Sequence, residues 1–332
     1  MNIIPSSALA PTIQRYLTLN RTLGRLYNNE ERVLLSLDQF LADPSNRYQD
    51  LSSESFLEWC RREERLSAGV RRSHMRIVRN LCIYRRRTEP NCFVPDRLLF
   101  PAPHRPVTPY IFSESETARL LAACSHLPRV NSSPLRTEVI RLAVVLLYTT
   151  GLRRGELLRL TVGDYDSQQG TLLVRASKFH KSRLLPLHPD VIQEIEHYLQ
   201  ARRHRRLPVT PETLLIWNRI GRGRAYTGTG LQGSLAILLN QCSIRTPQGR
   251  LPRIHDWRHS LAVNALLRWY RQGADLEAKL PLLATYLGHV SIFSTHYYLH
   301  FVEPLRILAS RRFAHHYGGL VRPFEAVKGV RR

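Results

Sequence analysis

Residues 101–109 read PAPHRPVTP. Four prolines in nine residues stop any helix from running through, because each ring fixes its own φ and biases the preceding residue toward extended backbone. Six of the chain's 20 prolines fall between Pro90 and Pro109, so this stretch reads as a linker. It divides the 332 residues into a segment of about 1–105 and one of about 106–332, and the length itself favours two domains over one. Both sides are basic: 17 basic against 11 acidic residues up to Arg105, then 32 against 15, giving +23 overall. Such a field gathers around a polyanion, nucleic acid first. Only four of the 49 basic residues are lysines (Lys178, Lys181, Lys279 and Lys328). A hydrophobic fraction of 43% excludes wholesale disorder. Five scattered cysteines without a CxxC give neither a disulfide framework nor a zinc site. No apolar run reaches the roughly 18 residues of a membrane span, and the N-terminus lacks the pattern of a secretory signal. The expectation is a soluble cytoplasmic protein with no membrane partner.

Upstream of the linker, helical spacing runs over about 11–26, 30–41, 53–65 and 67–87. In the last of these, Val70, Ile77, Leu81 and Tyr84 mark a packing face, while Arg71, Arg72, Arg76 and Arg79 point in other directions as candidate phosphate contacts. Ser67 is a plausible N-cap. Downstream, Ser113 and Glu116 form a capping-box pattern, and an apolar helix over about 138–149 ends at Gly151, suited to a left-handed cap. GTLLVRAS and RLLPL, at 170–177 and 183–187, read as a hairpin around KFHKS. Further helices are expected near 234–241, 255–270, 280–287, 294–301 and 304–316. The fold class is therefore mainly α with one small antiparallel β-sheet.

Four short segments combine basic groups with sharp turns: TTGLRRGELLRL at 149–160, SKFHKSRLLPL at 177–187, HDWRHS at 255–260 and YLGHVSIFSTHYYLH at 286–300. Metal-free displacement at a phosphodiester needs cationic donors on the non-bridging oxygens, a proton donor for the leaving oxygen and an in-line nucleophile. Arg153 follows the helix-ending glycine. His255 and Arg258, three apart, share a helical face. Lys178 sits at the mouth of the hairpin, and His289 precedes two tyrosines by eight and nine residues. A zinc site built on His255 and His259, with His289, His296 and His300 downstream, is the chemical alternative, but no HExxH glutamate accompanies them and Arg258 between the first two would repel a cation. The RRHRR run at 202–206 reads as a basic face toward DNA.

Taken in order, these segments resemble the tyrosine recombinases, the integrase family of site-specific DNA recombinases, whose signature runs Arg, Lys, His-x-x-Arg, His (or Trp), Tyr. The match covers about 109–302, and more loosely the N-terminal half, which is similar to the family's helical, SAM-like core-binding domain. The resemblance implies a two-domain C-shaped clamp on double-stranded DNA, with a DNA-binding domain at 1–105 and a catalytic domain at 106–332 that ends in a tail from about 303. It assigns Arg153 as the first arginine with Glu156 as its buried acidic partner, Lys178 as general acid, His255, Arg258 and His289 as phosphate ligands, and Tyr298 as nucleophile. Arg154 and Tyr297 are the adjacent alternatives. Two neighbouring phenols diverge by about 100° on a helix, and LGHVSIFSTHYYLHFV fits the family best with the second tyrosine in the nucleophile's place. Lys181 and His259 become DNA contacts. The implied reaction passes through a 3′-phosphotyrosyl intermediate and needs no metal, ATP or other cofactor. Inverted binding sites, dimers, a synaptic tetramer, accessory proteins and a mobile-element role follow from the same resemblance, with the protein DNA-associated at the nucleoid. A type IB topoisomerase-like relaxing enzyme and a non-catalytic DNA-binding protein on the same fold remain as alternatives.

Overall fold

The computed structural model describes residues 6–103, 107–128, 130–175, 182–219, 226–289, 295 and 298. The chain divides into two compact units, Met1–Val107 and Thr108–Arg332, each with its own hydrophobic core.

Among its described residues the first unit holds four α-helices, α1 (Ala10–Thr22), α2 (Asn28–Ala42), α3 (Ser53–Arg62) and α4 (Ala68–Arg85), and a 3-10 turn at Arg97–Leu99. Its core gathers Ile13, Leu34, Leu37, Phe56, Trp59 and Val78, all buried. The chain is tied down before α1 by the buried Asp38 carboxylate, which accepts from the Ser6 and Ser7 N–H groups at 2.8 and 3.1 Å. Helix α3 starts with a reciprocal Ser52–Ser55 capping box.

Helix α4 departs from its sequence pattern. Its buried face is Met75, Ile77, Val78, Leu81 and Cys82, whereas Val70 is exposed. Ser67 makes no side-chain capping bond. Two of the arginines expected to face phosphate serve the chain itself: Arg72 Nη1 donates to Pro101 O at 2.5 Å and Arg79 Nη1 to Pro95 O at 3.2 Å. The prolines of this segment have no N–H to donate, and guanidinium groups hold the carbonyls of Pro95 and Pro101. Arg76 is the exposed member of the set.

In the second unit, α5 (Glu114–Ala123) begins with the expected Ser113–Glu116 capping box. The centre is α6 (Arg136–Thr150), where Val139, Ile140, Leu142, Ala143, Val144, Leu146 and Leu147 are all buried. A helix apolar on nearly every side must be surrounded; α5, α8 (Pro189–His204) and α10 (Ile254–Arg271) lie against it. The short α7 (Arg154–Leu157) follows α6, and the sheet comes next, β1 (Tyr165–Asp166), β2 (Thr171–Val174) and β3 (Arg183–Pro186), antiparallel in that order. Register pairs Leu172 with Leu185 and Val174 with Arg183. Leu172, Val174 and Leu185 face the core while Leu184 is exposed, the period-2 alternation of a one-sided sheet. The hairpin is where the pattern put it; two-residue β1 is too short to have shown in the pattern.

Helix α9 (Gly228–Gln241) starts six residues before the apolar stretch first visible at Ser234, because Gly228, Gly230 and Gly233 mask it as a loop; Thr227 caps it through Gly230 N–H. Helix α11 (Leu276–Leu287) starts early too, with the Asp275 side chain accepting from Glu277 and Ala278. Trp257 lies in the core, stacked on Phe112 at 4.0 Å. The RRHRR run is not uniformly a basic face. Arg202 is 0% exposed, donates to Leu214 O at 3.0 Å and lies over the Tyr198 and Trp217 rings at 5.5 and 5.8 Å. The helices expected over 294–301 and 304–316 lie outside the described residues, Thr295 and Tyr298 apart. Among the described residues no helix is long and apolar enough to cross a membrane.

Candidate active site

The site is built on two helix ends. Helix α6 stops at Gly151, whose φ of +61° is a left-handed conformation that glycine adopts without strain. A Cβ there would come within 2.8 Å of Leu261 Cδ2 and 2.9 Å of Leu287 Cδ2. Two residues on, Arg153 caps α7. Its N–H donates to Glu156 Oε2 at 2.9 Å, Nη1 to Glu156 Oε1 at 2.7 Å, and Nη2 to Gly288 O at 3.2 Å. Glu156 is buried, so its carboxylate needs compensation. Burial opposes its ionisation, but the Arg183 hydrogen bonds, the Arg153 N–H and the Arg183 charge outweigh that and hold the carboxyl at about 2. Arg154 turns away: its guanidinium lies against Gly228, where an added Cβ would sit 3.1 Å from its Cζ.

The second helix end is that of α11, closed by Gly288 at φ +68°. His289 follows directly. Arg258, on the first turns of α10, joins the two ends. It is 1% exposed, donating from Nη1 to Gly151 O at 2.7 Å and from Nη2 to Leu287 O at 2.5 Å. Both acceptors lie at C-termini, where the helix dipole favours a cation. Burial, then the Arg153 charge, lower its pKa to about 10, so it stays cationic at neutral pH. His255, one turn before Arg258, sits at the surface. Desolvation by its surroundings and the Arg258 charge lower its pKa.

Three rings complete the site. Tyr298 is 2% exposed, nearly parallel to His289 with centroids 5.9 Å apart and edge-on to His259 at 5.4 Å. His259 in turn meets His255 edge-on at 4.7 Å. His289 Nδ1 lies 2.8 Å from Thr295 Oγ1. Burial, then the Arg258 charge, bring His289 down to about 3; burial and His255 bring His259 to about 4. Both imidazoles are therefore neutral at physiological pH, beside guanidiniums that carry the charge. The arrangement can bind a dianionic or monoanionic oxygen cluster by forks and place a phenol beside it.

Arg153, Glu156, His255, Arg258, His289 and Tyr298, from three separate sequence segments, thus converge in one place. Lys178, Lys181 and Tyr297 lie outside the described residues. His259, expected as a DNA contact, is instead buried between His255 and Tyr298. Arg183 was missed altogether. It had looked like one more basic residue in a strand, yet Nη1 and Nη2 meet Glu156 Oε1 and Oε2 at 3.2 and 2.9 Å, and Nε meets Tyr286 O at 2.9 Å. Its place in an alternating strand, opposite the apolar Val174, was the one available sign.

Comparison with known proteins identifies the family. Residues 111–303 match the family model described as the phage integrase family. A relative from Sinorhizobium fredii (strain NBRC 101917 / NGR234), carrying the provisional name integrase/recombinase y4rB, is 32% identical over 295 residues, spanning 88% of this chain and 93% of that one. The tyrosine recombinase XerD of Shewanella oneidensis is 30% identical over 192 residues, 58% of this chain and 57% of that protein. Among solved structures, the XerH site-specific recombinase bound to palindromic difH substrate, a post-cleavage complex, superposes with a TM-score of 0.61 at 19% identity over 85% of this chain and 78% of that one. The Tn1549 transposon integrase in complex with transposon right end DNA gives 0.60 at 17% identity, over 92% and 99%. The two structures share the fold; the sequence matches carry the kinship. With the phage-integrase match covering more than half its length and a relative aligned almost end to end, the chain belongs to the phage integrase family and is a tyrosine-type site-specific recombinase.

Proposed function

We propose that this recombinase cuts and rejoins double-stranded DNA through Tyr298, in the movement of a mobile element. The phenolic oxygen attacks the scissile phosphorus. The bond to the 5′-oxygen breaks, and a 3′-phosphotyrosyl linkage replaces it. The phenol gives its proton up to solvent, and Lys178 supplies one to the departing 5′-oxygen. Arg153 and Arg258 carry the charge that the pentavalent transition state gathers on its non-bridging oxygens, with His255 and neutral His289 as hydrogen-bonding partners. One phosphoester exchanges for another, so bond energy is conserved and a partner strand's 5′-hydroxyl can reverse the step. Inverted sites, dimers and a four-subunit synapse are the matching assembly.

The observation that supports this reading most is the meeting of Tyr298 with His289 and His259 beside the Arg258–Arg153 pair. A mobile-element role is supported by the likeness to a transposon integrase, and a DNA partner by the net charge of +23. The test is a nicked duplex from the gene's own neighbourhood, incubated in EDTA. Wild type and Tyr297→Phe are expected to form a covalent protein–DNA adduct, and Tyr298→Phe none. An adduct that disappears only with Tyr297→Phe moves the nucleophile by one residue. No wild-type adduct on a duplex that a gel shift shows to be bound rejects the reaction.

A further inference from the structure

Arg153 faces a difficulty in its own surroundings. Its nearest carboxylate, Glu156, is bound through both Nη1 and the backbone N–H, and a guanidinium neutralised by a carboxylate offers a phosphate little net charge. Arg183 changes this. It is 8% exposed against 28% for the Arg153 side chain, and it takes both oxygens of the same carboxylate in a fork. Two guanidiniums around one carboxylate leave one positive charge. The buried member is Arg183, so the surplus resides on the more exposed Arg153. The same Arg183 braces the second helix end: Nε holds Tyr286 O, and Nη1 would lie 2.8 Å from a Cβ added to Gly288, directly before His289.

We infer that Arg183 is a positioning residue for strand cleavage, neutralising Glu156 so that Arg153 keeps its charge for the scissile phosphate while fixing the turn that presents His289. This rests on the phosphoryl-transfer reading above. Without Arg183, Glu156 pairs with Arg153 alone and the net charge at the phosphate drops by one. Lysine at 183 restores a charge but no planar fork, so it repairs the loss in part.

The experiment measures single-turnover adduct formation per DNA-bound protein, which makes the rate independent of the fraction folded. It uses wild type, Arg183→Gln and Arg183→Lys on two duplexes. One has an ordinary scissile phosphodiester, the other a neutral methylphosphonate at that position. On the phosphodiester Arg183→Gln is expected to be slower by about 30-fold or more, and Arg183→Lys by a smaller factor. On the neutral linkage, which carries no ground-state charge and one charge fewer in the transition state, the deficit of Arg183→Gln shrinks to within about threefold, as it does for Arg153→Gln. Equal deficits on both duplexes mean a packing role and overturn the proposal, as does an Arg183→Gln rate equal to wild type. Absence of the wild-type adduct rejects the reaction itself and the proposal with it.

Discussion

Arg258 and Arg202 are both buried arginines, and only Arg258, three residues after His255, carries a local sequence sign that sets it apart from the exposed ones. Arg258 places two donors on carbonyls at the ends of α6 and α11. Arg202 lies between two aromatic faces and several carbonyls near the end of α8. Removing either leaves buried acceptors unpaired, at about 1–3 kcal/mol per group. Arg258→Lys cannot span both carbonyls with one ammonium; its adduct rate is expected to fall about 10²–10³-fold, with duplex affinity nearly unchanged in a gel shift. At exposed Arg76, substitution by Gln should flatten the plot of log affinity against log salt by about one. Arg202→Lys should leave that slope alone and lower the melting midpoint, and a changed slope would return Arg202 to the DNA surface.

At the scale of elements, the site depends on how two helices stop. Gly151→Ala forces a side chain into a left-handed conformation, costing about 1–2 kcal/mol, and drives Cβ against Leu261 and Leu287. The melting midpoint is expected to drop by about 2–8 °C, with adduct formation falling further because Gly151 O is an Arg258 acceptor. An unchanged midpoint in a calorimetric scan would contradict the crowding. Gly151, the Ser113 box and the hairpin were legible because each is a local device whose signal sits within a few residues. Arg153, His255, Arg258 and His289 were picked out by their order along the chain, through the resemblance to the integrase family, since each motif alone is weak. Arg183, Arg202 and His259 were not, because what decides their roles lies elsewhere in the chain: Glu156, 27 residues from Arg183, or the Tyr298 ring 39 positions beyond His259. Val70 failed for a simpler reason, since helical spacing names a face without saying which neighbour reaches it.

For the molecule as a whole, the neutral histidines tie stability to pH. His259 and His289 stand at about 4 and 3 when folded, against 6.5 for an ordinary imidazole. The unfolded chain therefore binds more protons below pH 6.5, and the stability present above that pH is lost as it falls toward 4. Glu156, held at about 2 against 4.5, adds a loss of the same sign at still lower pH. Melting midpoints measured from pH 7.5 to 4.5 are expected to fall, and to fall less steeply in His289→Gln; parallel curves for the two proteins would exclude the imidazole as the cause. The Arg258 carbonyl pair also bears on how the enzyme is made. Its acceptors stand 107 residues before it and 29 after it. A chain still emerging from the ribosome holds this cation without its second acceptor until Leu287 has been added. The two helix ends that frame the candidate site can therefore be joined through Arg258 only once both segments, 107 residues upstream and 29 downstream of it, are present.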